Sequence, residues 1–217
     1  MMSAKAAVRV MGHYLARVLS YGFNLKMFAC FTRFCKRVYW YSLSRRFRQV
    51  GKGCFIEYPA VTLGERYIIL GNSFQSYAGL RLEAYDKHLG NEYHPEIVIG
   101  DNVSLNYNCH IACINRIKIG NNVLMASRVY ITDHSHGSID LEALATPPAL
   151  RKIYSEGPVI IEDNVWIGEG AVIMPNVRIG KNSIIGANAV VTRDIPSNCV
   201  AAGVPARVLK CLREQLR

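Results

Sequence analysis

The chain has 217 residues, 50% hydrophobic and 19% charged, with a formal net charge of +10. That balance fits a globular chain able to fill a core and argues against a disordered one. The charge is uneven: residues 1–52 hold eleven Lys and Arg and no Asp or Glu, while the remainder holds fifteen basic and sixteen acidic residues, so the basicity belongs to an N-terminal arm.

Residues 1–49 read as that arm, helical and free of proline. Val10, Met11, Tyr14, Leu15, Val18 and Leu19 interleave with Arg9, Arg17 and Lys26. Further on, Phe31, Phe34, Val38, Tyr39 and Trp40 sit among Arg33, Lys36, Arg37, Arg45, Arg46 and Arg48. No stretch of about 18 residues escapes a charge, which argues against a transmembrane span. Two readings stand. A basic amphipathic helix can make peripheral contact with an anionic membrane. Alternatively the helix packs on the rest of the chain and presents a solvated basic face. No motif supports nucleic-acid binding.

The seven cysteines, Cys30, Cys35, Cys54, Cys109, Cys113, Cys199 and Cys211, are odd in number and irregularly spaced, and no secretory signal is evident. They predict free thiols in a reducing, cytoplasmic compartment, peripheral at the inner face of the cytoplasmic membrane if the arm binds lipid. Cys109 reads as core filler, and Cys109 with Cys113 lacks the second pair a metal site needs.

From residue 50 a six-residue period sets in. It is poorly phased at first, with Val50, Ile56, Leu63, Leu70 and Leu82 as inward candidates. Residues 85–95 break it as a loop that carries His88; His94 lies there too. It resumes at Ile97 and runs through Ile99, Leu105, Ile111 and Ile117, then slips by two residues to Ile119, Met125 and Ile131, which reads as a wider corner. After a loop at 134–158 it is clearest over 161–195. There Ile161, Ile167, Ile173, Ile179, Ile185 and Val191 recur, each followed four residues on by Val165, Ala171, Val177, Ser183, Ala189 and Ile195. A period of six fits neither a helix nor a simple strand and is the mark of a parallel β-helix in which coils must stack. The chain thus divides into an arm (1–49), a β-helix domain (50–202) with loops at 85–95 and 134–158, and a C-terminal tail (203–217) whose residues 207–217 read as a short helix.

The hexads resemble those of the hexapeptide-repeat acyltransferases. The resemblance implies an all-β, left-handed parallel β-helix, an exception to the usual right-handed crossover. It also implies a homotrimer with active sites between subunits and acetyl-CoA as co-substrate, with no metal required. YITDHSHGS, followed by Thr146, Pro147, Pro148 and Arg151, is similar to the bacterial polysaccharide and lipopolysaccharide O-acetyltransferases, with the galactoside and maltose acetyltransferases as relatives. His134 matches the family's catalytic histidine, and His136 is a candidate to orient substrate or imidazole. Asn106 matches the asparagine that meets the acceptor hydroxyl or acyl group, and Trp166 a tryptophan near the acyl site. Gly168 and Ala187 match the pantetheine groove, although Glu169 stands where the galactoside pattern has a serine. Thr192, Arg193, Arg207 and Lys210 match the nucleotide end, where basic residues suit phosphates.

A sugar hydroxyl is protonated at neutral pH, so it needs a base to attack a thioester, and a histidine titrating near neutrality can serve. The expected activity is therefore acetyl-CoA-dependent O-acetylation of a sugar hydroxyl, on a surface polysaccharide or its lipid-linked precursor. Acetylation of a free small sugar, amino sugar or antibiotic is the alternative. Two readings from other classes are a zinc enzyme built on His110, His134 and His136, and a trimeric membrane-associated scaffold without activity.

Overall fold

In a computed structural model, residues 4–212 are described. The chain divides into two compact units, residues 1–39 and 40–217. The first carries helix α1 (Ala4–Ser20) and most of α2 (Leu25–Ser44). Among the described residues, no helix is long and apolar enough to cross a membrane.

The second unit is a three-sided parallel β-helix. Its first face stacks Gln49–Val50, Ile68–Leu70, Glu96–Ile99, Arg116–Ile119, Val159–Ile161 and Arg178–Ile179. Its second face runs from Phe55–Ile56 through Gln75–Ser76, Ser104–Leu105, Leu124–Met125, Trp166–Ile167 and Ile184–Ile185 to Cys199–Gly203. Its third face stacks Ala60–Leu63, Leu80–Ala84, His110–Cys113, Tyr130–Thr132, Val172–Ile173 and Val190–Val191. Both recurring series over 161–195, the aliphatic one and the mostly small one four residues behind it, are buried throughout. Each buried aliphatic side chain adds about 1.5–3 kcal/mol of favourable transfer.

Asparagine makes one corner possible. Asn102, Asn122, Asn164, Asn182 and Asn198 all adopt φ between 56° and 60°. Their short polar side chains tolerate this left-handed conformation. They also form a ladder, each side-chain amide donating to the next asparagine's Oδ1 at 2.8–3.1 Å. Glycine serves a different need. A Cβ at Gly71 would lie 2.5 Å from the carbonyl carbon of Gly100 in the next coil, so only glycine lets these backbones stack.

Four expectations are corrected. Leu63 is exposed, because Thr62 pairs with inward Leu82 and so takes the inward position itself. The two-residue slip does not widen a corner: it lengthens the flanking strands, and Cys113 and Ile117 both fill the core. The C-terminal stretch is not helical over its described residues. Ala206–Cys211 turns back at Val204–Pro205 and pairs antiparallel with Cys199–Gly203, whose free edge supplies partners that a lone helix would lack; residues 213–217 lie outside the described residues. Finally, the thiols are not all free, since Cys199 and Cys211 are register partners and form a disulfide. Cys109 is buried core, as expected.

At the N-terminal end of the prism, Trp40, Leu43 and Phe47 are buried. The Trp40 ring lies 6.4 Å from those of both Phe47 and Phe55, and this cluster covers the first, irregular coil.

Candidate active site

Both loops leave the prism at the corner between the third and first faces. Residues 85–95 form a small hairpin pairing Lys87–His88 with Asn91–Glu92. The longer loop pairs Ser135–His136 with Ile153–Tyr154 and carries α3 (Leu141–Ala145), whose N-cap is Asp140. Between them the corner is a short turn, Cys113 to Arg116, and the loops meet where the Tyr93 hydroxyl donates to the Ile153 carbonyl at 3.1 Å. Arg151 pins the longer loop by donating from Nε to the Thr146 carbonyl at 2.7 Å.

His134 stands at this corner, nearly buried, as the third-face strand ends. Its Nδ1 lies 3.0 Å from Oδ1 of Asp133, a fully buried carboxylate. Asp133 in turn accepts the N–H groups of Ile114 at 2.9 Å and Asn115 at 2.8 Å, and the Cys113 thiol at 3.1 Å. Burial pushes the Asp133 carboxyl up, but the bonds from His134, Ile114, Asn115 and Cys113 outweigh it and hold it below the ordinary value. An ionised Asp133 accepts only, so Nδ1 of His134 must carry the proton and a neutral imidazole keeps Nε2 as an acceptor. Burial and then the Asp133 charge push the Cys113 thiol far up, so Cys113 stays a neutral donor.

Beside this pair is a second polar group that the period did not flag. Register on the third face aligns Arg81, His110 and Tyr130 in one outward row, and Glu83, Ala112 and Thr132 in the next. Glu83 is buried although it points away from the core. It accepts from Arg81 through both oxygens, at 3.1 and 3.0 Å, and from His110 Nε2 at 2.8 Å. Burial pushes its carboxyl up, and these two partners bring it below the ordinary value. His110 stacks on Tyr130 with ring centroids 4.9 Å apart, and Tyr85 meets His134 edge-on at 6.1 Å. Charged residues at alternate positions of LRLEA, Arg81 and Glu83, are the sequence signal that could have singled out this group; the His110 partner of Glu83 lies 27 residues away.

The remaining candidates fall at two places. Asn106, Ala126, Gly168 and Gly186 take equivalent positions in successive coils at the corner between the second and third faces, each N–H donating to the next coil. A Cβ at Gly168 would lie 2.6 Å from the Ala187 nitrogen, so the column is bare backbone at that position. Trp166 lies on the adjoining second face, 50% exposed, in one outward register row with Leu124, Ile184, Val200 and Lys210. Arg207 pairs with Ala202 at the end of the same face. Glu169 is held by Arg128 at 2.5 Å. Thr192 and Arg193, by contrast, follow the strand Val190–Val191 and share the corner of His134. The chain therefore sets Asn106, Gly168 and Ala187 along one corner with Trp166, Lys210 and Arg207 on the adjoining face, and His134, Thr192 and Arg193 along a different corner. His136 lies two residues beyond His134 on the longer loop, where it is exposed and its ring meets His88 at 5.9 Å. Among the described residues no three His, Cys, Asp or Glu side chains group as a metal site would need, so His110, His134 and His136 do not form the set the zinc reading requires.

The family model described as bacterial transferase hexapeptide (six repeats) matches residues 158–193. The chain is 38% identical over 159 residues to the putative lipopolysaccharide biosynthesis O-acetyl transferase WbbJ of Escherichia coli K12, covering 71% of this chain and 77% of that one. It is similar to a solved maltose O-acetyltransferase from Clostridium difficile 630, at TM-score 0.54 and 34% identity, over 79% of this chain and 73% of that one. A hexapeptide-repeat-containing acetyltransferase from Vibrio cholerae O1 biovar eltor, solved in complex with acetyl-CoA, matches at TM-score 0.50 and 27% identity over 80% and 76% of the two chains.

Proposed function

Since the chain belongs to the hexapeptide-repeat family of acyltransferases, we propose that it is an acetyl-CoA-dependent O-acetyltransferase acting on a sugar hydroxyl, with His134 as general base. The observation that carries this reading is the Asp133–His134 pair, which leaves Nε2 of a neutral imidazole free to accept a proton. Acetyl-CoA supplies an activated acetyl thioester. His134 accepts the acceptor hydroxyl's proton as its oxygen attacks, then returns it to the departing thiol. Asp133 stabilises the imidazolium that forms in between.

The small-residue column fits the donor. Bare backbone at Gly168 and Ala187 accepts a narrow pantetheine arm, Trp166 offers an apolar wall, and Arg207 and Lys210 offer cations for the nucleotide phosphates. Thr192 and Arg193 add to that end only from another prism, because they share His134's corner. A homotrimer with sites between subunits joins the two groups: one subunit's Asn106 column faces the next subunit's His134. Asn106 would then orient the acceptor hydroxyl or acyl group through its amide. We take the prism to have the family's left hand.

A surface polysaccharide or its lipid-linked precursor is the acceptor class supported by the relative from Escherichia coli and by the basic arm. The test combines binding with turnover. Acetyl-CoA should raise the melting temperature of the purified protein by mass action. His134→Ala should keep that rise while losing about 10²–10⁴ in kcat, measured as thiol release over a panel of glycan acceptors. No thermal response to acetyl-CoA or CoA, or an His134→Ala enzyme as active as wild type, overturns the proposal.

A further inference from the structure

The helical unit presents two apolar stripes that nothing covers among the described residues. At about 100° per residue, Val8, Met11, Tyr14, Leu15, Val18 and Leu19 fall on one side of α1, with Arg9 and Arg17 opposite. Each of those six apolar residues is at least half exposed. On α2 the stripe is Met27, Phe28, Phe31, Phe34, Val38 and Tyr41, again all more than half exposed, while Lys26, Arg33 and Arg37 lie on the other side. The join between the helices is equally apolar, with Tyr21, Phe23 and Leu25 exposed. Asn24 fixes the start of α2 by accepting the N–H groups of Lys26 at 3.0 Å and Met27 at 3.1 Å.

A soluble monomer rarely leaves contiguous apolar surface of this extent uncovered. Charge selects the occupant. Residues 1–52 carry eleven Lys and Arg and no acidic residue, so a second copy would set like charge against like, whereas an anionic surface complements both faces. Neither helix is long and apolar enough to cross a bilayer. We propose that α1 and α2 lie in the plane of an anionic lipid surface, with both apolar stripes among the acyl chains and Arg9, Arg17, Lys26, Arg33 and Arg37 at the phosphates. The inference stands on these helices alone and does not depend on the acyl-transfer reading.

The test is flotation of the full-length chain with vesicles. Phosphatidylglycerol-containing vesicles should carry it, pure phosphatidylcholine vesicles far less, and added salt should weaken recovery. Each neutralised cation should cost about fivefold in partitioning, so Arg9→Gln/Arg17→Gln/Lys26→Gln should weaken binding about 100-fold. Phe31→Ser/Phe34→Ser should lower recovery on both vesicle types while leaving the melting temperature of the prism unchanged. Failure of the wild type to float on anionic vesicles, or equal flotation of wild type and both variants, overturns the proposal. So does self-association by sedimentation that Phe31→Ser/Phe34→Ser abolishes without any vesicle binding. Flotation without any thermal response to acetyl-CoA would remove the acyl-transfer reading and leave this one standing.

Discussion

Replacing Asp133 by Asn keeps the shape of the side chain and removes its charge. The carboxylate accepts at both oxygens: Oδ1 from Ile114 N–H and His134 Nδ1, and Oδ2 from Asn115 N–H and the Cys113 thiol. An amide satisfies only one side. If its NH₂ takes the Oδ1 position, it opposes the Ile114 N–H and donates to Nδ1, which moves the imidazole proton to Nε2 and disables the base. If it takes the Oδ2 position, it opposes the Asn115 N–H and leaves a neutral partner for His134. A hydrogen bond to a charged group is worth about 1.5–3 kcal/mol, or roughly 10- to 150-fold in rate. The tautomer change adds to this, up to the loss seen with His134→Ala. Asp133→Asn should therefore lower kcat about 100-fold with the KM for acetyl-CoA within about twofold, assayed by thiol release. One buried donor set against another costs about 1–3 kcal/mol, so the melting temperature should fall by roughly 2–12 °C. A folded variant with kcat within about threefold of wild type would refute the orienting role assigned to Asp133.

Acid sensitivity should follow from the same carboxylates. Asp133 and Glu83 both titrate below their ordinary values when folded, so the stability they add is complete above the unfolded pKa near 4 and is lost as pH falls through the lower folded value. The urea midpoint of the wild type should drop as pH falls below about 5, and that of Asp133→Asn less steeply; parallel curves would count against the assignment. The asparagine corner makes a separate prediction. Asn164 sits at φ 60°, accepts from Asn122 at 3.1 Å and donates to Asn182 at 3.0 Å. Asn164→Gly loses only the ladder, whereas Asn164→Ala also meets the left-handed penalty and should be less stable than the glycine variant by about 1 kcal/mol in urea denaturation. Equal stability of the two would mean that the corner conformation carries no such cost.

Legibility followed sequence separation. The hexads from 161 to 195 were readable because each short strand repeats the demand of its neighbours: one aliphatic residue in, one small residue beside it. Leu63 was misplaced because the first coil has a neighbour on one side only, which leaves its phase weakly specified. The C-terminal stretch was misread because Val208, Leu209 and Leu212 have helical spacing. An open strand edge at Cys199–Gly203 outweighed that propensity. Cys199 and Cys211 looked unpaired for a related reason, since only the antiparallel turn puts them side by side.

The sequence by itself determined the coil, because a six-residue repeat is a local property that every hexad restates, while His134 became a candidate through the resemblance of YITDHSHGS to the family's motif. Only the tertiary structure decided the surroundings of His134. Asp133 is anchored by backbone groups 18 and 19 residues earlier, and Glu83 reaches His110 across 27. Stacking alone makes such residues neighbours, because one turn of the prism brings positions about a coil apart within hydrogen-bonding distance, and no periodic pattern records which polar side chains will meet there.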